Sequence, residues 1–305
     1  MRLELLNFLA LLSILKASLR NLMMPSARNT GISKLPEAET VFVLGNGPSL
    51  ISDIEHVKAG SKDKITVVNF FASTHWFENL KPDYYFIQDS YWFDAPGALR
   101  PDVLRVFDDI NERVSWPMFL CIPYCYLERF EASRIVRNPH VTVVPIPAVS
   151  LHVGDVTHFT YRSEHFKRAI FRLWSKGLLY LPATNIVSTA IFEFLKAGAT
   201  NIALLGMDMT MADDLVLQEN GTIAFSPSHF YGKALEAEAA KGSERDSMAR
   251  AYEWIATKFR VLDLLAAYAE YLGTDVVNCS SITRLDSFRL EPLDSYMLEE
   301  SGGSS

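Results

Sequence analysis

The sequence has no surplus of positive charge: 29 Lys and Arg stand against 36 Asp and Glu, a formal net charge of −7. Neutralising phosphates needs a basic face and none stands out along the chain, so nucleic acid is excluded as an expected partner. Cysteine is scarce as well. Cys121, Cys125 and Cys279 form an odd set without zinc-type spacing, which argues against a disulfide framework, fits a reduced cytoplasmic setting and reads them as buried small hydrophobes. Long apolar runs are also missing. The segment from Leu5 to Leu15 stops at Lys16, short of the ~20 residues that cross a bilayer.

That first segment also has no small-residue cleavage site, and Arg2, Glu4, Lys16 and Arg20 make residues 2–24 an amphipathic helix. Contact with a membrane surface, packing against a second subunit in a homo-oligomer, and folding back on its own domain all stay open for it. The first would place a cytoplasmic protein peripherally on the inner membrane.

What is present is an ordinary globular composition, with 49% apolar, 12% aromatic and 21% charged residues in 305, enough for one large core. The division expected is an N-terminal helix and connector over 1–37, one catalytic unit over 38–292 and a tail over 293–305, whose closing Ser301-Gly302-Gly303-Ser304-Ser305 resembles a linker.

From residue 38 onward, short β-branched runs alternate with helical stretches, the pattern of stacked βαβ units. Strands are expected over 40–44, 65–69, 84–88, 118–122, 141–146, 202–205 and 276–278. Most are continuous apolar runs, as in an α/β fold whose mostly parallel, Rossmann-like sheet carries helices on both faces. Helices are expected over 101–113, 126–136, 185–197 and 243–272, the last opening on a Ser243/Asp246 capping pattern. Gly198 and Gly273 stand where a helix end takes a left-handed residue. The segments 152–181 and 209–242, rich in His, Tyr, Ser and Asp, read as irregular, lid-like insertions.

The chemistry-bearing residues gather at element ends. Val41-Phe42-Val43-Leu44 runs into Gly45-Asn46-Gly47-Pro48-Ser49-Leu50, a buried strand entering a turn whose glycines suit close approach to a phosphate or ribose. It is neither G-x-G-x-x-G nor a P-loop with its Lys, so neither a dinucleotide nor a Walker site is supported. Asn69 closes the second strand and Gln88-Asp89 the third, Asp208 follows the strand at Leu205, and Thr184-Asn185 precede a helix; open α/β sheets bind ligands at this edge. His229, flanked by Ser228, Phe230 and Tyr231, is the candidate general base, its unperturbed pKa near ~6.5 suiting that work. His152, His158 and His165 form an alternative cluster, but their spacing does not establish a metal site and none is expected.

In order along the chain, the Gly-Asn-Gly-Pro-Ser-Leu loop, Asn69, Lys81-Pro82-Asp83-Tyr84-Tyr85, the run from Ala197 to Asp208 through Gly206-Met207, Ser228-His229-Phe230-Tyr231-Gly232 and Asn278-Cys279-Ser280-Ser281 resemble two related families. One is the bacterial lipooligosaccharide sialyltransferases that use CMP-sialic acid. The other is the hydroxymethylpterin-diphosphokinase-like proteins, many associated with surface-glycan assembly. The resemblance covers about residues 40–290.

The first resemblance implies a variant GT-A fold and metal-independent, inverting transfer from a CMP-sugar, with no cofactor. The acceptor would be a hydroxyl on a surface glycan, glycolipid or glycoprotein. It implies His229 as base, with Gly45, Asn46, Gly47, Pro48 and Ser49 around donor phosphate and ribose. Asn69 would lie near the nucleotide, Gln88 near the sugar, Thr184 and Asn185 against the donor, Asp89, Asp208 and Thr210 among the donor-binding residues, and Asn278 and Ser280 at the cytosine end. One departure stands out. Thr210 and Ile223 occupy the places of two tyrosines that stabilise the leaving phosphate in that family. Losing such donors costs about 2.7–4 kcal/mol each, which makes Tyr231 or a residue of 152–181 the expected substitute. The second resemblance implies instead a Mg²⁺-dependent pyrophosphate transfer using Asp89 and Asp208. A non-catalytic nucleotide- or glycan-binding scaffold is the third reading.

Overall fold

The computed structural model describes residues 14–16, 18–19, 31–35, 40–147, 164–182, 184–217, 219, 221, 223–225, 228–230, 232–233 and 247–302. Among them eight strands form one sheet: β1 (Val41–Leu44), β2 (Lys64–Val68), β3 (Tyr84–Phe86), β4 (Met118–Pro123), β5 (Val141–Ile146), β6 (Asn201–Leu205), β11 (Asp275–Asn278) and β12 (Arg289–Leu290). Their order is β12-β11-β6-β1-β2-β3-β4-β5, and every neighbouring pair is parallel. Two small antiparallel ladders, β7 (Leu215–Leu217) with β8 (Ile223–Phe225) and β9 (Ser228–His229) with β10 (Gly232–Lys233), lie within the second insertion.

The helices are α1 (Leu50–Asp53), α2 (Trp76–Leu80), α3 (Pro101–Arg113), α4 (Leu127–Ser133), α5 (Glu164–Ser175), α6 (Ile186–Ala197), α7 (Met248–Leu272) and α8 (Leu293–Gly302). Alternation along each strand feeds two cores. Val41, Val43, Ile202 and Leu204 pack with Trp174 of α5, Phe194 of α6 and Tyr268 of α7 on one face. Phe42, Leu44, Ala203 and Leu205 pack with Leu50 of α1, Phe107 of α3 and Phe130 of α4 on the other. A strand buried on both faces is apolar at nearly every position, which is why most runs look continuous in the sequence. The chain steps outward from β1 to β5, then returns to the opposite side of β1 with β6, so the sheet reverses its winding between β1 and β6.

The seven strands expected from the sequence are present within one or two residues at their ends, while β12, the two ladders of the second insertion and the short helices α1 and α2 are not announced by it, and the structure differs further. Part of the first insertion is α5, whose Ile170, Phe171 and Trp174 are buried; their spacing is helical, but Glu164, Lys167, Arg168 and Arg172 around them mask the stripe. Residues 293–302 form α8 and bury Leu293 and Tyr296, so the boundary drawn at 292 falls beside packed structure. The long helix starts one residue after Ser247, whose side chain accepts the Arg250 amide, while Ser243 and Asp246 lie outside the described residues. Helix α4 stops at Ser133 because Arg134 is left-handed, at φ 50°. Cys125 is exposed, unlike Cys121 and Cys279. Gly198 and Gly273 do take the left-handed helix-end conformation, at φ 87° and 75°.

Of residues 2–24, the described part is helical, with Ile14 in the core beside α6 and Leu15 and Leu19 more than half exposed. No described helix is long and apolar enough to cross a membrane.

Candidate functional site

A cavity of about 240 Å³ opens at the carboxyl edge where the winding reverses, the place where such sheets leave a crevice between diverging loops. Asn46, Gly47 and Pro48 reach it from the end of β1, Asn69 from β2, Gln88 and Asp89 from β3, and Gly206, Asp208 and Thr210 from β6. Thr184 and Asn185 enter with the first turn of α6, and Lys258 enters from α7.

One wall is closed on itself. The amides of Gly45 and Gly47 donate to the carbonyls of Leu205 and Gly206 at 2.7 and 2.8 Å, pressing the β1 loop onto the β6 loop. A Cβ on Gly45 would lie 2.4 Å from the Gly206 oxygen, and one on Gly47 2.3 Å from the Asp208 carboxyl and 2.6 Å from the Gly206 oxygen. These glycines are therefore required for loop-to-loop contact, whatever they offer a ligand.

Asp208 is buried, and its two oxygens accept the amide and hydroxyl of Ser49 at 2.8 and 2.5 Å. Burial pushes its carboxyl above the usual range, against the two Ser49 hydrogen bonds and with a smaller push from Asp53. The donors of Ser49, expected to meet a phosphate, are thus committed to the chain's own carboxylate, and Ser49 itself is buried behind the wall.

Other parts of the lining are not satisfied internally. Asn46 Oδ1, Asn69 Oδ1 and Thr184 Oγ1 are buried atoms without a hydrogen-bond partner among the described residues, and all three residues line the cavity. An unmet buried polar atom costs about 1–3 kcal/mol, so three at one place point to groups kept for something that enters. Two left-handed non-glycine residues sit at the same cavity, Asn69 at φ 54° and Met209 at φ 54°, and such strain gathers at functional sites. The Asn69 backbone is pinned: its amide donates to the Phe86 carbonyl at 3.0 Å, and its carbonyl accepts the Tyr85 hydroxyl. Gln88 is held too, its Oε1 accepting from Thr189 Oγ1 at 2.8 Å. Asn185 caps α6 by accepting the Val187 amide at 2.8 Å.

Lys258 is the only basic side chain on the described lining, beside Asp89, Asp208 and Asp214. Its ammonium donates to the Thr184 carbonyl at 2.6 Å and lies 4.2 Å from the centre of the Trp254 ring. Burial pulls its pKa down to about 8, with Asp89 opposing. Burial raises the Asp214 carboxyl, helped by Asp213. The sequence reading missed Lys258, since nothing in the helical pattern of α7 sets its one lysine apart from the neighbouring Arg250 and Arg260; the pairing with Trp254 one turn earlier is the only local signal. Among the described residues no cluster of three His, Cys, Asp or Glu side chains is arranged to hold a metal.

The structure does not bring every expected residue here. Asn278 and Ser280 line a second cavity of about 600 Å³ beside Asp53, Glu291 and Asp294. There Ser280 Oγ accepts the Met207 amide at 2.9 Å, and Asn278 accepts the Ser280 amide and donates to Thr283, so both brace the β6 loop from behind. Ile223 is buried in β8, while Thr210 lines the first cavity. His229 is described by its backbone in β9 alone, and Tyr231, His152 and His158 lie outside the described residues; His165 is exposed on α5. The Phe230 amide donates to the Asn46 carbonyl at 3.1 Å and its ring packs 5.4 Å from that of Phe71, which fastens the β9–β10 hairpin to the β1 loop.

No family model matches the chain, and no curated protein matches it. Among solved structures it is similar to the sialyltransferase CstII from Campylobacter jejuni, determined with cytidine-5'-monophosphate and with CMP-3FNeuAc, at TM-scores of 0.40 and 0.39 and 12% identity in both. The match covers 83% of this chain and 85% and 86% of the other. At that level the likeness concerns strand arrangement alone and carries no inference about chemistry.

Proposed function

We propose that this protein is a glycosyltransferase that moves a sugar, with inversion and without a metal, from a CMP-type nucleotide donor to a hydroxyl of a bacterial surface glycan, glycolipid or protein. The observation that carries the reading is the set of unpartnered Asn46, Asn69 and Thr184 oxygens around a crevice at the winding reversal of the sheet. Neutral amides and hydroxyls at this edge suit the hydroxyls and amines of ribose, base or sugar. The ordered motifs from residues 45 to 281 support the choice among ligands.

In this reading the oxygens of Asn46, Asn69 and Thr184 accept donor hydroxyls or amines, and Gln88, pinned by Thr189, orients the sugar. His229 takes the acceptor proton, carried by a hairpin whose neighbouring residue is tied to Asn46. Asn185, Thr210 and Asp89 shape the cavity, while Gly45, Gly47, Ser49 and Asp208 hold its rigid side. Asn278 and Ser280 act by bracing. The Mg²⁺-dependent reading is weakened because both Asp208 oxygens already serve Ser49.

The test is calorimetric titration of CMP, UMP, GDP and ATP, with and without Mg²⁺, into the wild type and Asn46→Ala. Metal-free, CMP-selective binding that is lost in Asn46→Ala is expected. Mg²⁺-dependent ATP binding would overturn the reading in favour of the diphosphokinase, and binding of no nucleotide would leave a scaffold.

A further inference from the structure

A phosphate entering the first cavity meets an electrostatic problem. The lining carries Asp89, Asp208 and Asp214, and a doubly charged phosphate is repelled by carboxylates in a partly desolvated crevice. The neutral side chains on the lining, among them Asn46, Asn69, Thr184 and Thr210, offer hydrogen bonds but no positive charge. Some other donor has to meet the charge that develops on the leaving group.

We infer that Lys258 is that donor: its ammonium binds the phosphate of the nucleotide donor and stabilises the phosphate as it leaves. This rests on the transferase reading above. In the transfer the acceptor oxygen forms a bond to the anomeric carbon of the sugar as the bond from that carbon to the phosphate oxygen breaks. The electron pair of the broken bond stays on the phosphate, the acceptor proton passes to the base, and Lys258 keeps its proton while donating a hydrogen bond to the departing oxygen.

Several features of the site support this. The ammonium is held by the Thr184 carbonyl at 2.6 Å, which uses one of its three N–H bonds and leaves two for a ligand. The same threonine carries the buried, unpartnered Oγ1 on the cavity wall, so a cation and a free hydroxyl share one anchoring residue. The Trp254 ring 4.2 Å away stabilises the cation without neutralising it, as a carboxylate would. Asp89 is the charged group whose field reaches Lys258 most strongly, and it favours the protonated form against burial. Helix α7 packs on both α6 and the turn at Thr210–Ala212, which delivers a residue 74 positions beyond Thr184 to this place.

The experiment is calorimetric binding of CMP and of cytidine, which lacks the phosphate, to the wild type, Lys258→Met and Lys258→Arg. A charged hydrogen bond of the usual strength predicts CMP binding about 10- to 100-fold weaker in Lys258→Met. Cytidine binding should stay within about twofold, and Lys258→Arg should recover most of the CMP affinity. Raising the pH from about 7 to about 9 should weaken CMP binding to the wild type and not to Lys258→Met. Equal CMP binding by wild type and Lys258→Met overturns the role of Lys258 and leaves the donor site standing. Parallel loss of CMP and cytidine makes Lys258 a structural support for Thr184, which also overturns it. A wild type that binds no CMP removes the transferase reading, and the inference with it.

Discussion

The two cavities differ in a way that size alone would misjudge. The second is the larger, about 600 Å³ against about 240 Å³, but its characteristic groups serve the fold: Asn278, Ser280 and Thr283 are bonded to one another and to Met207, and Asp53 accepts the Ser281 amide. The smaller cavity keeps three buried oxygens without partners, two left-handed residues and a lysine whose proton is loosened. A fold tolerates such costs where a ligand offsets them. The same contrast recurs within the smaller cavity, between the closed wall of Gly47 and Asp208 and the open one of Asn69, Thr184 and Lys258.

The comparison breaks most sharply at Gly47. Alanine there would place a methyl 2.3 Å from the Asp208 carboxyl and 2.6 Å from the Gly206 oxygen, so Gly47→Ala is expected to lose about 2–4 kcal/mol of stability in urea denaturation. An unchanged midpoint would mean the two loops can part freely. Next comes Asp208→Asn, which turns an acceptor of the Ser49 amide and hydroxyl into a group with one acceptor oxygen, at a cost of about 1–3 kcal/mol by the same measurement.

Lys258→Met tests the open wall from the side of stability. The pKa of Lys258 lies at about 8 in the fold against 10.5 for the free side chain. The unfolded chain therefore binds this proton more tightly, and the buried charge destabilises the fold below about 8. That penalty fades as the pH rises from there toward 10.5. Lys258→Met should therefore raise stability near neutrality by about 1–2 kcal/mol, with the gain vanishing at alkaline pH. A lower thermal midpoint at neutral pH would show that the bond to Thr184 outweighs the burial.

The smallest effects on stability separate the cavities themselves. Asn278→Ala should cost about 1 kcal/mol, since it strips the Ser280 amide of its partner and Thr283 of one of its three, and should change CMP affinity little. Asn69→Gly keeps the left-handed backbone and removes an oxygen with no partner, so stability should hold within about 0.5 kcal/mol while CMP affinity falls about 5- to 30-fold. If Asn278→Ala instead abolished CMP binding with the fold intact, the second cavity would belong to the site.

Much of this was legible from residues alone, and for local reasons. The apolar runs at β1, β4 and β6 announce strands because burial on both faces leaves little room for polar side chains. Asn185, Gly198 and Gly273 mark helix ends because each supplies the one side chain or backbone conformation an end needs. The polar residues Asn46, Asn69, Gln88, Asp89, Thr184, Asn185 and Asp208 could be placed at one edge because a parallel sheet sends every strand's end to the same side. Helix α5 was obscured by its charges, and Lys258 by the length of the helix that carries it.

The sequence by itself thus determined the seven main strands of the sheet, the helices at 101–113 and 186–197 and which turns face the carboxyl edge, since those follow from periodicity and from the demands of neighbouring residues. Only the tertiary structure decided that Asp208 would close on Ser49 across 159 positions, that Asn278 and Ser280 would stand behind the β6 loop, and that Lys258 would meet Thr184. Such pairings depend on the order of strands in the sheet and the packing of α7 on α6, and contacts between distant segments leave no period in the chain to read.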